Sequence, residues 1–133
     1  MVRVLFVCTE NSNRSQMAEA FARTCGAGVL EPASAGSNPS GVVNPRAVAA
    51  MRARGYDLNV HSSKGLDEVG PGPRDYLITM GCGDECPNIR ARRREDWHLA
   101  DPRDLPDEEF LAVRDRIEQL VLDLVRRVRG EDC

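Results

Sequence analysis

The stretch VLFVCTENSNRSQMAEAF, residues 4–21, passes from an apolar run through a polar loop into a helical pattern. The apolar run is rich in β-branched residues, which predicts a buried strand over residues 3–7. From Ser15 onward the apolar residues recur every three to four positions, which predicts a helix that ends at Gly26. Cys8 therefore opens a loop between the end of a strand and the start of a helix.

The rest of the chain continues this alternation of strand and helix patterns. A second strand is predicted between Val29 and Ala35, a helix between Asn44 and Gly55, a third strand over Tyr76–Met80, a fourth around Trp97–Leu99, and a C-terminal helix from Phe110 to Val128. Alternating elements predict an α/β fold with a central four-stranded parallel sheet and helices on both faces. The length predicts a single domain over residues 1–133. Ligands in such folds bind beyond the carboxyl ends of the strands.

Composition and charge narrow the classes of function. The chain is 41% hydrophobic and 29% charged, as in ordinary soluble globular proteins. It has 18 basic and 21 acidic residues and a net charge of −3, which argues against a nucleic-acid or anionic-membrane partner. No apolar run approaches the ~20 residues of a membrane span. The N-terminal MVRVLFV lacks the features of a signal peptide, so we expect a cytoplasmic protein.

The loop after the first strand has the composition of an anion site. A loop at a helix N-terminus directs backbone N–H groups inward, and this field suits both a tetrahedral oxyanion and a thiolate. Cys8 is therefore the candidate nucleophile. The candidate oxyanion-binding residues are Thr9, Glu10, Asn11, Ser12, Asn13, Arg14 and Ser15. The Arg14 fork can bind two oxygens, Ser15 can donate its hydroxyl to the thiolate, and Asn11 can pin the loop. Spacing alone is a weak motif, and the alternative is that Cys8 merely ends a buried strand.

The segment CTENSNRSQMAEAF, residues 8–21, resembles the anion loop and first helix shared by low-molecular-weight protein tyrosine phosphatases and the arsenate reductases built on the same fold. The similarity continues through SAG (34–36), VNPRAVAAM (43–51), ITMGCGDECP (78–87), EDW (95–97) and Asp101-Pro102. It covers essentially the whole chain, and the extension SQMAEAF favours the reductases.

The resemblance implies a reaction that uses three thiols and one acid. Asp101 matches the general acid that protonates the leaving group. Cys8 would attack arsenate, and Cys82 would then attack the Cys8 sulfur as arsenite leaves. Cys86 would resolve the Cys8–Cys82 disulfide, leaving a Cys82–Cys86 disulfide for thioredoxin. The implied substrate is arsenate, with phosphate or sulfate as competing oxyanions, and the implied chemistry needs no cofactor.

Several alternatives remain open at this level. A low-molecular-weight phosphatase could carry Cys82 and Cys86 as a redox guard, although the chain has only two tyrosines to wall a phosphotyrosine cleft. A non-enzymatic oxyanion-binding module is a third possibility. A zinc site needs four ligands, which only His61, His98 and remote cysteines could complete, so we predict no metal. Some relatives use a low-molecular-weight thiol with a glutaredoxin-like partner, so the electron donor stays open.

Three features depart from the pattern of the family or lie outside it. Glu10 places a carboxylate beside the oxyanion site, so we expect its side chain to point outward. Lys64 stands where potassium-binding members have an aspartate, and we therefore predict no potassium site. The arginine run over residues 90–94 is interpreted as a solvated loop, with docking of an acidic partner such as thioredoxin as the alternative.

Overall fold

The computed structural model describes residues 1–69, 73–81 and 90–131, the last without its side chain. The strands are β1 (Val2–Cys8), β2 (Leu30–Gly36), β3 (Arg74–Thr79) and β4 (Ala91–Asp96), and the helices are α1 (Arg14–Cys25), α2 (Pro45–Arg52) and α3 (Asp107–Glu131). Two short 3₁₀ helices lie at Leu58–Val60 and Leu66–Val69.

The four strands form one parallel sheet in the order β2-β1-β3-β4, which confirms the predicted fold class. β1 lies between β2 and β3, so its end is enclosed on both sides. Cys8, the last residue of β1, pairs with Gly36, the last residue of β2. The preceding residue, Val7, pairs with Thr79 at the end of β3. Three strand ends therefore meet at the point where the Cys8 loop begins.

Alternate residues of the central strands face two separate apolar clusters. Val4, Phe6 and Ile78 belong to the larger cluster, which also contains residues of α1, α2 and α3. Leu5, Val7 and Leu77 face the other side, where Leu66 and Val69 of a 3₁₀ helix pack against them. The 3₁₀ helix Leu66–Val69 therefore packs on one face of the sheet, and the three α-helices contribute to the larger cluster on the other face. The period of two along β1 is what a strand buried on both faces requires.

The helix ends follow local sequence signals. The Asn44 side chain accepts a hydrogen bond from the Arg46 N–H at 2.9 Å and caps α2, with Pro45 as its first residue. At the other end α2 stops at Arg52, a few residues before Gly55, whose φ is +81°. None of the helices in the described ranges is long and apolar enough to cross a membrane.

The prediction of the fourth strand was wrong. The strand is Ala91–Asp96, and Trp97–Leu99 follows it, although the Trp97 N–H still donates to Thr79 O at 2.9 Å. The arginine run predicted to be a solvated loop is therefore mostly strand. β4 lies at the edge of the sheet, where exposed arginines need no apolar alternation.

Candidate active site

A small cavity opens at the carboxyl end of β1, where the loop enters α1. It is lined by Cys8, Thr9, Glu10, Ser12, Asn13, Arg14 and Asp101. The structure therefore brings the candidate nucleophile, five of the loop residues and the candidate acid together. The remaining two loop candidates, Asn11 and Ser15, are fully buried behind the cavity wall. Cys82 and Cys86 lie outside the described residues.

The thiol of Cys8 is held by a short chain of hydrogen bonds. Its Sγ lies 2.8 Å from Ser15 Oγ, and Asn11 Nδ2 donates to the same hydroxyl oxygen at 2.8 Å. Because Ser15 Oγ accepts from Asn11, its own hydrogen is available for donation to Sγ. A hydroxyl that donates to sulfur stabilises the thiolate, which is the nucleophilic form.

Asn11 is the residue around which the loop is built. Its φ of +51° lies in the left-handed region, which asparagine tolerates better than most residues. Gln16 Nε2 donates to the Asn11 carbonyl oxygen at 3.1 Å and to Oδ1 at 2.8 Å, and the Lys64 N–H donates to Oδ1 at 2.9 Å. These bonds fix both the backbone and the side chain of Asn11.

Behind Asn11 the network continues to His61, which sequence reasoning did not place at the site. His61 Nδ1 lies 2.9 Å from Gln16 Oε1, and its Nε2 lies 2.6 Å from Tyr56 Oη. Since an amide oxygen only accepts, Nδ1 carries a hydrogen and donates it to Gln16. Burial lowers the pKa of His61 below its ordinary value, against the opposing effect of the Glu19 carboxylate, whose Oε2 lies 3.8 Å from Nε2. The polar Gln16 inside an apolar helix pattern was the one sequence signal for this network.

Arg14 is held from one side of the cavity. Its Nη1 donates to Met80 O at 2.6 Å and to Leu99 O at 3.0 Å, and the residue is 8% exposed. The first carbonyl follows β3 and the second follows β4, so the guanidinium joins two strand ends. A guanidinium fixed through one nitrogen keeps a defined orientation toward an anion in the cavity.

One polar atom of the loop lacks a partner. Asn13 Oδ1 is buried and accepts no hydrogen bond from any described residue. A buried unpaired acceptor costs about 1–3 kcal/mol. Asn13 lines the cavity, so a hydroxyl donor bound there would satisfy this oxygen.

The acid candidate is anchored to the anion loop by its neighbour. Asp101 Oδ1 accepts a hydrogen bond from the Arg103 N–H at 3.1 Å. Arg103 Nη1 in turn lies 2.8 Å from Glu10 Oε1. The Glu10 carboxylate, expected to point outward, thus ends in an ion pair with the acid loop, and this partner was missed because it is 93 residues away.

Gly36, the glycine of the motif SAG, lies where the end of β2 passes close to the anion loop. A Cβ atom at this position would lie 2.6 Å from Thr9 O and 2.9 Å from Asn11 N. Such distances are too short for carbon, so only glycine lets β2 approach the loop this closely.

A second polar cluster adjoins the His61 network, since Glu19 Oε2 lies 3.8 Å from His61 Nε2. Ser34 Oγ donates to Glu19 Oε1 at 2.6 Å, and Lys64 Nζ lies 3.7 Å from the same oxygen. Lys64 therefore places its own ammonium charge beside this buried carboxylate. Within residues 1–69, 73–81 and 90–131, no group of three or more His, Cys, Asp or Glu residues could hold a metal ion.

The fold agrees with the family to which the sequence is related. The chain belongs to the low molecular weight phosphotyrosine protein phosphatase family, which it matches over residues 3–132. It is 37% identical over 131 residues to the glutaredoxin arsenate reductase of Synechocystis sp., covering 96% of this chain and 99% of that protein.

Solved structures show the same relationship. A structure described as an arsenate reductase in the phosphate binding state superposes with a TM-score of 0.88, at 37% identity, over 96% of this chain and 99% of that one. The thioredoxin-dependent arsenate reductase of Corynebacterium glutamicum gives a TM-score of 0.80 at 28% identity, over 98% of this chain and 63% of that one.

Proposed function

We propose that this protein is an arsenate reductase that converts arsenate to arsenite through cysteine thiols. The observation that carries the proposal is the cavity at the end of β1, where Cys8, the anion loop, Arg14 and Asp101 converge. The arsenate reductases among its relatives, at 37% identity over nearly the full chain, favour this activity over phosphate-ester hydrolysis.

In the first step the Cys8 thiolate attacks As(V) of a bound arsenate. A sulfur–arsenic bond forms, and an oxygen leaves as water after protonation. Asp101 is the proposed proton donor because it lines the cavity opposite the loop. Arg14 and the loop N–H groups hold the remaining oxygens and the negative charge that they carry.

Two further thiols complete the proposed reduction. The Cys82 thiolate attacks Cys8 Sγ, a Cys8–Cys82 disulfide forms, and the electron pair of the broken sulfur–arsenic bond reduces arsenic to As(III). Arsenite then leaves. Cys86 attacks Cys82, which releases the Cys8 thiolate and leaves a Cys82–Cys86 disulfide. In sequence, both cysteines follow β3, and β3 is the neighbour of β1, the strand that ends in Cys8.

The proposed electron donor is thioredoxin, because a disulfide between two cysteines of the protein is a substrate for a dithiol donor. The thioredoxin-dependent reductase of Corynebacterium glutamicum supports this assignment. The name of the Synechocystis relative points instead to glutaredoxin, so regeneration with each purified donor distinguishes the two.

The relay predicts a specific disulfide after one turnover. Reduced protein mixed with arsenate, with no other thiol present, is expected to show a Cys82–Cys86 bridge by peptide mass spectrometry, with Cys8 free. Cys86→Ser should trap the Cys8–Cys82 disulfide instead, and Cys8→Ser should abolish arsenite formation. Cys25→Ser is the matched control, because Cys25 lies on α1 outside the cavity and should leave turnover unchanged. Reduction of arsenate by Cys8→Ser would refute the assignment.

A phosphatase is the second candidate, favoured by the family and by an acid in the same cavity as the nucleophile. It needs only Cys8, Arg14 and Asp101. Robust hydrolysis of an aryl phosphate that survives Cys82→Ser, together with no change of thiols after arsenate, would establish this function in place of the reductase.

A further inference from the structure

We propose that Glu10 and Arg103 form a clasp between the anion loop and the acid loop, which positions Asp101 and sets the affinity of the site for oxyanions. The inference rests on the proposed function in assigning Asp101 as the acid. Arg103 and Glu10 are positioning residues in this proposal, since each acts through a neighbouring group.

The clasp joins two segments at the cavity, the anion loop and the acid loop. Glu10 belongs to the loop that follows β1, and Arg103 lies two residues after Asp101. Their side chains meet at 2.8 Å, and the Arg103 N–H donates to Asp101 Oδ1 at 3.1 Å. One residue therefore contacts the acid through its backbone and the anion loop through its side chain.

The acid loop is also tied down on its opposite side, so Arg103 is a fixed point. Arg46 of α2 donates from Nη1 to Arg103 O at 3.0 Å and from Nη2 to Leu105 O at 2.6 Å. The same guanidinium lies 4.5 Å from the centre of the Phe110 ring and 3.1 Å from Asp107 Oδ1. Arg46 therefore holds the backbone of the acid loop from α2, and the ion pair with Glu10 adds a second attachment, to the anion loop.

The charges explain why a carboxylate is tolerated beside an anion site. An unpaired Glu10 would repel arsenate or phosphate, since both are anions near neutral pH. The guanidinium of Arg103 neutralises it at hydrogen-bond distance. Removing one partner alone therefore changes the charge at the cavity by one unit, whereas removing both restores the original balance.

The test compares Glu10→Gln, Arg103→Gln and the double variant. Binding of inorganic phosphate is followed by calorimetry, and arsenate reduction is followed as kcat and KM. Glu10→Gln should bind phosphate severalfold more tightly, and Arg103→Gln severalfold more weakly, while the double variant returns to the affinity of the original protein. All three should lose about two- to fivefold in kcat, because each opens the same clasp, which is a half-exposed ion pair.

Arg54→Gln is the matched control. Arg54 also makes a 2.8 Å ion pair, with Asp115, of similar exposure, but this pair joins the turn after α2 to α3 and does not line the cavity. This variant should change neither phosphate affinity nor kcat.

Two results would overturn the clasp: phosphate affinity shifting in the same direction in both single variants, or losses in kcat that add in the double variant. The binding measurement needs no turnover. It therefore decides the charge balance of the clasp even if the protein fails to reduce arsenate, which would refute the proposed function separately.

Discussion

Ser15 lies between the reactive thiol and the residue that shapes the loop. It accepts from Asn11 and is thereby oriented to donate to Cys8, with both contacts at 2.8 Å and all three residues buried. In the proposed reaction, the group that stabilises the attacking sulfur is thus in place before the substrate binds.

Ser15→Ala should remove this bond and slow the reaction. A hydrogen bond to a charged group is worth about 1.5–3 kcal/mol, which corresponds to about tenfold or more in the rate of thiolate attack. The measurement is alkylation of Cys8 by iodoacetamide at fixed pH, alongside arsenate reduction. Ser40→Ala is the control, since that exposed hydroxyl donates to Val42 O and does not line the cavity. Equal alkylation rates in Ser15→Ala and the original protein would contradict this role.

At the residue scale, the sequence identified side chains that line the cavity but not the hydrogen-bond network behind them. Cys8, Arg14 and Asp101 could be named because loop chemistry and resemblance point to them. Gln16 and His61 could not, because their contact spans 45 residues and depends on how α1 packs against the loop after α2. Pairings of this kind are set by the tertiary fold rather than by local pattern.

The elements meet most tightly where the end of β2 passes the anion loop. Gly36→Ala should push Thr9 and Asn11 away, because its Cβ would lie 2.6 Å from a backbone oxygen that cannot move independently. Overpacking of this kind costs about 1–3 kcal/mol, and the loss should appear mainly as weaker phosphate binding. Calorimetric titration with inorganic phosphate measures the effect.

The control for this substitution is Gly130→Ala, where a Cβ meets nothing within 4 Å. It lies within α3 and should keep phosphate affinity while stabilising the helix slightly. Unchanged phosphate affinity in Gly36→Ala would show that the loop yields to the added methyl group.

Among the secondary-structure elements, those with a regular spacing of apolar residues were predicted from the sequence. The strand without such a spacing, β4, was misplaced. β1, β3, α1 and α3 were recognised because their buried residues recur at the spacing of their secondary structure. β4 was missed because an edge strand with exposed arginines shows no alternation, and the nearby Trp97 drew the prediction toward the following residues. The position of β4 is set instead by its parallel backbone pairing with β3.

At the scale of the whole molecule, one ion pair joins the edge of the sheet to the C-terminal helix. Arg127 Nη1 and Nη2 contact Glu95 Oε2 and Oε1 at 2.6 and 3.1 Å, and Trp97 Nε1 donates to Oε1 at 3.1 Å. The hydrogen bonds from Arg127, with that from Trp97, hold the pKa of Glu95 below its usual range. The ionised carboxylate is thus favoured in the folded state.

The lowered pKa of Glu95 determines the direction in which the stability of the fold changes with pH. The stabilisation is fully present above the pKa of Glu95 in the unfolded chain and is lost as the pH falls through the lower pKa of the folded state. Glu95→Gln should therefore lower the free energy of unfolding at pH 7 by about 1 kcal/mol, and the difference should shrink toward pH 3.

Urea denaturation across this pH range measures the effect of Glu95→Gln. Asp123→Asn is the control, since this exposed carboxylate pairs with Arg127 only within α3, and its removal should change stability little. A deficit in Glu95→Gln that stays constant between pH 7 and pH 3 would contradict the assignment.

The central position of β1 has a consequence for how the protein is made. The chain leaves the ribosome N-terminus first, yet β1 gains its second neighbour only when residues 74–79 are available. A nascent chain therefore contains Cys8, the proposed nucleophile, before it contains β3 and the Met80 carbonyl that holds Arg14. During that interval Cys8 lacks one of its two flanking strands, and it is enclosed between them only when β3 has joined the sheet.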